Sequence, residues 1–272
     1  MEKILVAVDA AHNNDKLMDF ACYIARLTHS GLTGVFLEEE VKPEISLWAT
    51  YANALQMAGA ENQSATAQQY AVNQEAFKWA CRVAGISHTL QVAASVNELV
   101  AESRFADLLL MDTGVWDSDD PEAEVSDQVR QVLTHSECPV LIAPRSFEEI
   151  EEIIFTYDGS ASAVFAIRQF TYLFPQLADR KAIVLQVSEN EDEVVSGKEQ
   201  IGSLLKMHYS GIGFHVIQGK ASTALHQYLR GRKNALVVMG AFGRHGFSGY
   251  FRPSTAELLL AQMRLPLFVA HT

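Results

Sequence analysis

The chain has 272 residues, 49% of them hydrophobic, and a formal net charge of −12. That length accommodates one large or two ordinary domains with a full core. The negative charge, with no cluster of Lys and Arg interleaved with aromatics, excludes a nucleic-acid partner.

The amino terminus, Met1-Glu2-Lys3-Ile4, leads straight into a strand without a secretory apolar region. The longest apolar runs, such as Leu108–Met111 and Ala235–Met239, are far too short to span a bilayer, so a cytoplasmic protein with no membrane partner is expected. Short apolar runs predict strands over 3–8, 32–38, 88–93, 107–111 and 139–143, the first ending on Asp9. Between the second and third lies Glu40 to Asn62, where Trp48, Tyr51, Leu55 and Met57 recur at roughly helical spacing. This insert is expected to pack over the first half, with a lid or partner surface as the alternative. The loop after the fourth strand carries Asp117, Asp119, Asp120, Glu122 and Glu124 with no base, read as solvated surface rather than a metal site.

The second half has predicted strands at 152–157, 181–187, 213–218, 235–239 and 266–270, and helices near 160–175, 193–209, 221–231 and 254–264. It repeats the first. Lys3–Asp9 matches Glu152–Asp158 at an offset of 149, Ala106–Asp112 matches Asn234–Gly240 at 128, and Cys138–Ala143 matches Leu265–Ala270 at 127. Apolar strands alternating with amphipathic segments imply parallel sheets covered by crossover helices, which makes this an α/β fold of two tandem, doubly wound, Rossmann-like five-stranded domains. Residues 1–146 form the first and 147–272 the second. Cys22, Cys81 and Cys138 stand apart among apolar neighbours without CxxC spacing, predicting buried thiols with no disulfide, metal or redox role. His208, His215, His226, His245 and His271 lack zinc spacing.

One stretch reads as a ligand site. Val237-Val238-Met239-Gly240-Ala241-Phe242-Gly243 runs an apolar strand into a glycine turn, and Ser254-Thr255-Ala256-Glu257 then opens an apolar helix. Backbone amides and a helix N-terminus can converge there on an anion. Gly240 and Gly243 would permit positive φ and close approach of a ligand. Ser254 and Thr255 can cap the helix or bond a phosphate oxygen. Asp158, Val187 and this turn all fall at carboxyl ends of strands, where ligands bind parallel sheets.

Two copies of a unit with a first strand ending in Asp, a Gly-x-x-Gly turn after the fourth strand, a Ser opening the next helix and a fifth strand opening with Pro resemble a tandem universal stress protein. The motifs that carry the resemblance are Tyr157-Asp158-Gly159-Ser160, Met239–Gly243, Ser254–Glu257 and Leu265–Val269. The resemblance implies a pseudo-dimer built on the apolar fifth strands, with two separate sheets rather than one continuous mixed sheet. It also implies that ATP or another adenine nucleotide, with or without Mg, is held by Asp158, Val187, Met239, Gly240, Gly243, Ser254 and Thr255. Tyr157 and Phe242 flank this pocket and can stack on a purine or fill the space. Arg244, with His245 and Arg252, can pair with phosphates.

Pro253 departs from the family's usual glycine and removes one amide donor. The first half is degenerate: Asp112 replaces Gly240, Val115 replaces Gly243, and its loop is acidic, so a nucleotide is expected in the second half alone. No base, P-loop lysine or metal-binding carboxylate pair stands beside the glycine turn. The expectation is therefore a nucleotide-binding stress-response or signalling module, at most a slow ATPase, acting on an unidentified protein partner. A structural or interaction protein of the same fold without nucleotide is the alternative, and a homodimer of the tandem chain is compatible with either.

Overall fold

The computed structural model describes residues 1–10, 15–37, 61–113, 126–144, 147–189, 194–240 and 265–270. In the first half the order is β1 (Lys3–Asp9), α1 (Asp15–Thr28), β2 (Gly31–Leu37), α2 (Glu61–Ala84), β3 (His88–Ala93), α3 (Val96–Ser103), β4 (Leu108–Met111), α4 (Asp127–His135) and β5 (Val140–Ile142). The second follows with β6 (Glu152–Thr156), α5 (Ala161–Leu173), a 3-10 turn (Pro175–Leu177), β7 (Lys181–Ser188), α6 (Lys198–Lys206), β8 (Ile212–Gln218), α7 (Ala221–Leu229), β9 (Ala235–Gly240) and β10 (Leu267–Ala270). The central strands are buried along nearly their whole length, as in β1 from Ile4 to Val8 and β9 throughout. A strand covered on both faces has no solvent side to alternate toward, which is why these segments read as continuous apolar runs. Serines start three of the helices: Ser95, Ser126 and Ser160 accept from the amides of Glu98, Val129 and Ala163.

The strand order is β3-β2-β1-β4-β5-β10-β9-β6-β7-β8. Pairing is parallel within each half and antiparallel between β5 and β10. Each half is thus a five-stranded parallel sheet with the same internal order, and the two face each other across their fifth strands. At the junction Leu141 lies opposite Phe268, the equivalent residue of the other half at the offset of 127, with Val140 opposite Val269 and Ile142 opposite Leu267. The register is symmetric about the Leu141–Phe268 pair, so a pseudo-twofold axis passes between these residues. The expectation of two separate sheets is therefore corrected. A twofold normal to the sheet turns one copy of an edge strand antiparallel to the other, and their free N–H and C=O groups then pair, leaving a single ten-stranded sheet.

Phe268 is fully buried and meets Phe170 of α5 edge-on at 5.2 Å, while Phe170 stacks on Phe174 at 4.9 Å. Phe147, in the connection between halves, lies 4.5 Å from the ring of Tyr23 and 4.9 Å from that of Phe20, which ties this connection to α1. α1 and α2 pack on each other. Trp48, Tyr51, Leu55 and Met57 of the expected insert lie outside the described residues. Part of the extra length of the first half is visible as α2, 24 residues long where its counterpart α6 has 9.

Candidate functional site

In the second half β6 sits between β9 and β7, and the chain reverses its direction of winding between β6 and β9. A crevice at that switch point is where parallel sheets hold ligands. Three neighbouring strands bring predicted residues to its carboxyl edge: Tyr157 and Asp158 from β6, Val187 from β7, Met239 and Gly240 from β9. Cross-strand bonds fix their level. The Tyr157 amide donates to Leu185 O at 2.9 Å, and the Thr156 hydroxyl donates to Val238 O at 3.0 Å across the switch itself.

Asp158 is half-buried, and its Oδ1 accepts from the Ser160 amide at 2.9 Å, closing a turn in which Gly159 takes φ +79°. That left-handed turn is strained for any residue with a Cβ. Ser160 then caps α5, its Oγ accepting from the Ala163 amide at 3.2 Å and lying 3.2 Å from the Ser162 hydroxyl. The positive end of a 13-residue helix is thereby set beside the end of β9.

Gly240 serves a different purpose from the one its sequence context suggests. It belongs to β9, paired with Ala270, and is not among the glycines of positive φ. A Cβ placed on it would fall 2.7 Å from the carbonyl carbon of Ser162 and 2.8 Å from Ser162 O and Ala163 N. The absent side chain makes room for the backbone of α5.

Tyr157 is 7% exposed and packs within the protein, so in this structure it fills space. Burial raises the pKa of its phenol, and the neighbouring Asp158 charge adds to the rise. Above it lies the segment following β7. Ser196 donates its amide to Gln186 Oε1 at 2.9 Å, its Cβ lies 3.4 Å from where a Cβ on Gly159 would be, and Gly197, at φ +57°, faces the Tyr157 hydroxyl. The helix expected near 193–209 is accordingly shorter, Lys198–Lys206, because Val195–Gly197 are used to wall the site. Sequence reading missed this wall. Its signal is Gln186, a lone amide within the apolar run Ile183-Val184-Leu185-Gln186-Val187, now 1% exposed and bonded to that segment. Phe242, Gly243, Arg244, Pro253, Ser254 and Thr255 lie outside the described residues.

The first half differs at the same place. Asp9 ends β1, and Asp112, 7% exposed, stands at the end of β4 where the second half has Gly240. Both residues take part in interactions within the protein. Asn73 of α2, buried, donates to Ala10 O at 2.9 Å and is held by Gln69 at 3.0 Å, so the longer helix closes over the end of β1.

A cleft of about 700 Å³ opens at the opposite, amino-terminal ends of β9 and β10, lined by Phe147, His226, Arg230, Arg232, Lys233 and Pro266 among others. Two of its lining charges are compensated internally, Arg232 by Glu152 and Glu149 by Arg180. It lies at the other end of the strands from the switch point and from the predicted site residues that are described, Tyr157, Asp158, Val187, Met239 and Gly240. Among the described residues no group of three or more His, Cys, Asp and Glu gathers to hold a metal, and no helix is long and apolar enough to cross a membrane.

Residues 150–271 match the Universal stress protein family. A universal stress protein of Synechocystis is 27% identical over 131 residues, a match spanning 47% of this chain and 45% of that protein, so the chain aligns with less than half the length of this relative. Over the whole chain the fold is similar to the crystal structure of a universal stress protein from Archaeoglobus fulgidus, with a TM-score of 0.64, 16% identity and coverage of 99% of this chain and 98% of that one. A structure of a putative universal stress protein from Pseudomonas aeruginosa has a TM-score of 0.58, 17% identity and coverage of 100% and 93%. The second half carries the sequence of the universal stress protein family, and the first half repeats its fold.

Proposed function

We propose that this chain is a stress-response or signalling module that binds one adenine nucleotide, ATP or a relative, in its second half, and that occupancy alters its choice of protein partner. The observation that carries the reading is the convergence of Asp158, Val187, Met239 and Gly240 at the carboxyl ends of three adjacent strands, beside the N-terminus of α5. A half-buried carboxylate can accept from ribose hydroxyls, buried Val187 and Met239 offer an apolar wall to a base, and a helix N-terminus favours phosphate. The first half offers two carboxylates, Asp9 and Asp112, and the Asn73 closure at the corresponding place, which disfavours an anion there.

Two observations favour the alternative of an interaction protein without nucleotide. Tyr157 fills space beside Asp158, and Gly240 is explained by packing alone. Mass spectrometry of small molecules released from purified protein, with titration calorimetry using ATP, ADP and AMP, separates the readings. One site per chain is expected, weakened on the order of tenfold by Asp158→Ala, about the value of one hydrogen bond involving a charged group. Two equivalent sites would overturn the second-half assignment, and no binding of any adenine nucleotide would leave the interaction protein.

A further inference from the structure

α2 buries Asn73, Phe77 and Cys81, and away from them it carries a second apolar line that is open to solvent. Val72, Trp79 and Val83 are 54%, 64% and 69% exposed, with half-buried Ala76 between them. Spacings of four, three and four residues align them along one side of the helix, the pattern of a coiled-coil seam. No other element among the described residues exposes more than one large apolar side chain. The shorter counterpart α6 presents Lys198, Glu199, Gln200, Ser203 and Lys206 to solvent instead, so the line is particular to the first half. An indole and two isopropyl groups aligned in water gain free energy on meeting a similar surface. We propose that this line is a self-association surface, on which α2 of one chain pairs antiparallel with α2 of a second copy, independent of any nucleotide.

Charge selects this occupant. Glu75 and Arg82 stand at the same edge of the line, seven residues apart and largely exposed. A second copy turned end for end, with Ala76 laid against Trp79 and Val72 against Val83, brings Glu75 of each chain beside Arg82 of the other. Both contacts along that edge are then of opposite sign. Within one chain the two groups approach only to 3.8 Å, whereas Glu75 holds Lys78 at 2.6 Å through its other oxygen, so the Arg82 contact is the loose one and can be exchanged. A parallel pairing sets Glu75 beside Ala80 and forfeits both contacts. At the inner edge that same Ala80 is small enough to let the two backbones approach.

Since the second half lacks the line, each chain offers one such surface, and a self-complementary pairing closes at two copies. Three side chains more than half exposed offer a few hundred Å² per copy, and the pair together stays below the roughly 1,000 Å² of a firm interface. The dimer is accordingly weak, with a dissociation constant in the micromolar range or above.

Sedimentation equilibrium of the intact chain, from about 10 µM to about 1 mM with and without ATP, tests the pairing. The mass should rise from one chain toward two and stop there, and Trp79→Glu should abolish the rise. Glu75→Arg and Arg82→Glu should each weaken the dimer on the order of tenfold, because either sets two like-charged pairs across the contact. The double variant restores both pairs with their signs exchanged and should return the dimer to within roughly threefold of wild type. A monomer throughout the range overturns the proposal, whether the line stays bare or another part of the chain covers it. Growth beyond two copies, a dimer indifferent to Trp79→Glu, or a double variant no stronger than the single ones would overturn it equally. Where Trp79→Glu folds poorly, the charge exchange at two solvated side chains decides the matter.

Discussion

Replacing Gly240 by alanine tests whether this glycine is there for the fold or for a ligand. The new methyl would meet Ser162 C at 2.7 Å and Ser162 O and Ala163 N at 2.8 Å, all backbone atoms of the first turn of α5. Backbone cannot rotate out of the way as a side chain can, so either β9 or the start of α5 must move. Ordinary overpacking costs about 1–3 kcal/mol. Removing a glycine from an extended strand returns roughly 0.5–1 kcal/mol through the unfolded chain. The net expectation is a destabilisation of about 1–2 kcal/mol. With a urea dependence near ~2 kcal/mol/M this lowers the unfolding midpoint by roughly 0.5–1 M. Because the clash is with backbone, Ala163→Gly should not relieve it, and the two changes should add rather than compensate. Nucleotide affinity, where present, should fall with the displacement of α5 even for this smallest substitution, while a change at Asp112 in the first half leaves it untouched. An unchanged or higher midpoint for Gly240→Ala, or rescue by Ala163→Gly, would refute the close-packing argument and return the glycine to a ligand role.

Other perturbations address the junction, the first half and pH. Phe268→Ala removes a fully buried ring from the pseudo-twofold junction and from its contacts with Phe170 and Phe174, and should cost about 3–5 kcal/mol in chemical unfolding. Asn73→Ala leaves the buried Ala10 carbonyl without this donor and should cost about 1–3 kcal/mol in the same assay, with no change in nucleotide binding. Burial works to raise the Asp107 pKa, but the Lys3 and Glu2 amides, both donating to its Oδ2, and the terminal ammonium outweigh it, so the folded pKa lies below the ordinary carboxylate value. Its stabilising effect is therefore present above that ordinary value, near pH 4, and is lost as pH falls through the folded pKa. Wild type should unfold at higher urea than Asp107→Ala at pH 7, and the gap should close on acidification; a gap that widens in acid would contradict the assignment.

Much of the architecture was legible before any coordinates, because an apolar strand buried on both faces and an amphipathic crossover helix have different periods in sequence. All ten described strands fall where short apolar runs predict them, within a residue or so at each end. The duplication was equally legible, since the two halves keep their apolar runs in register at offsets of 149, 128 and 127. Asp158, Val187, Met239 and Gly240 could be placed at strand ends for the same reason, and the tertiary structure brings their backbones to one edge.

Contacts between segments distant in sequence were decided by the tertiary structure alone. Nothing local states that the two fifth strands would pair antiparallel into one sheet, since hydrogen bonding at an edge depends on which copy arrives there. The sequence shows a glycine at 240, but only the approach of α5 shows that its missing Cβ is occupied by backbone. Gln186 reads as an anomaly in an apolar strand until Ser196 is folded back onto it. Periodicity reports whether a residue faces inward, whereas the identity of its neighbour there is set by how elements far apart along the chain come together.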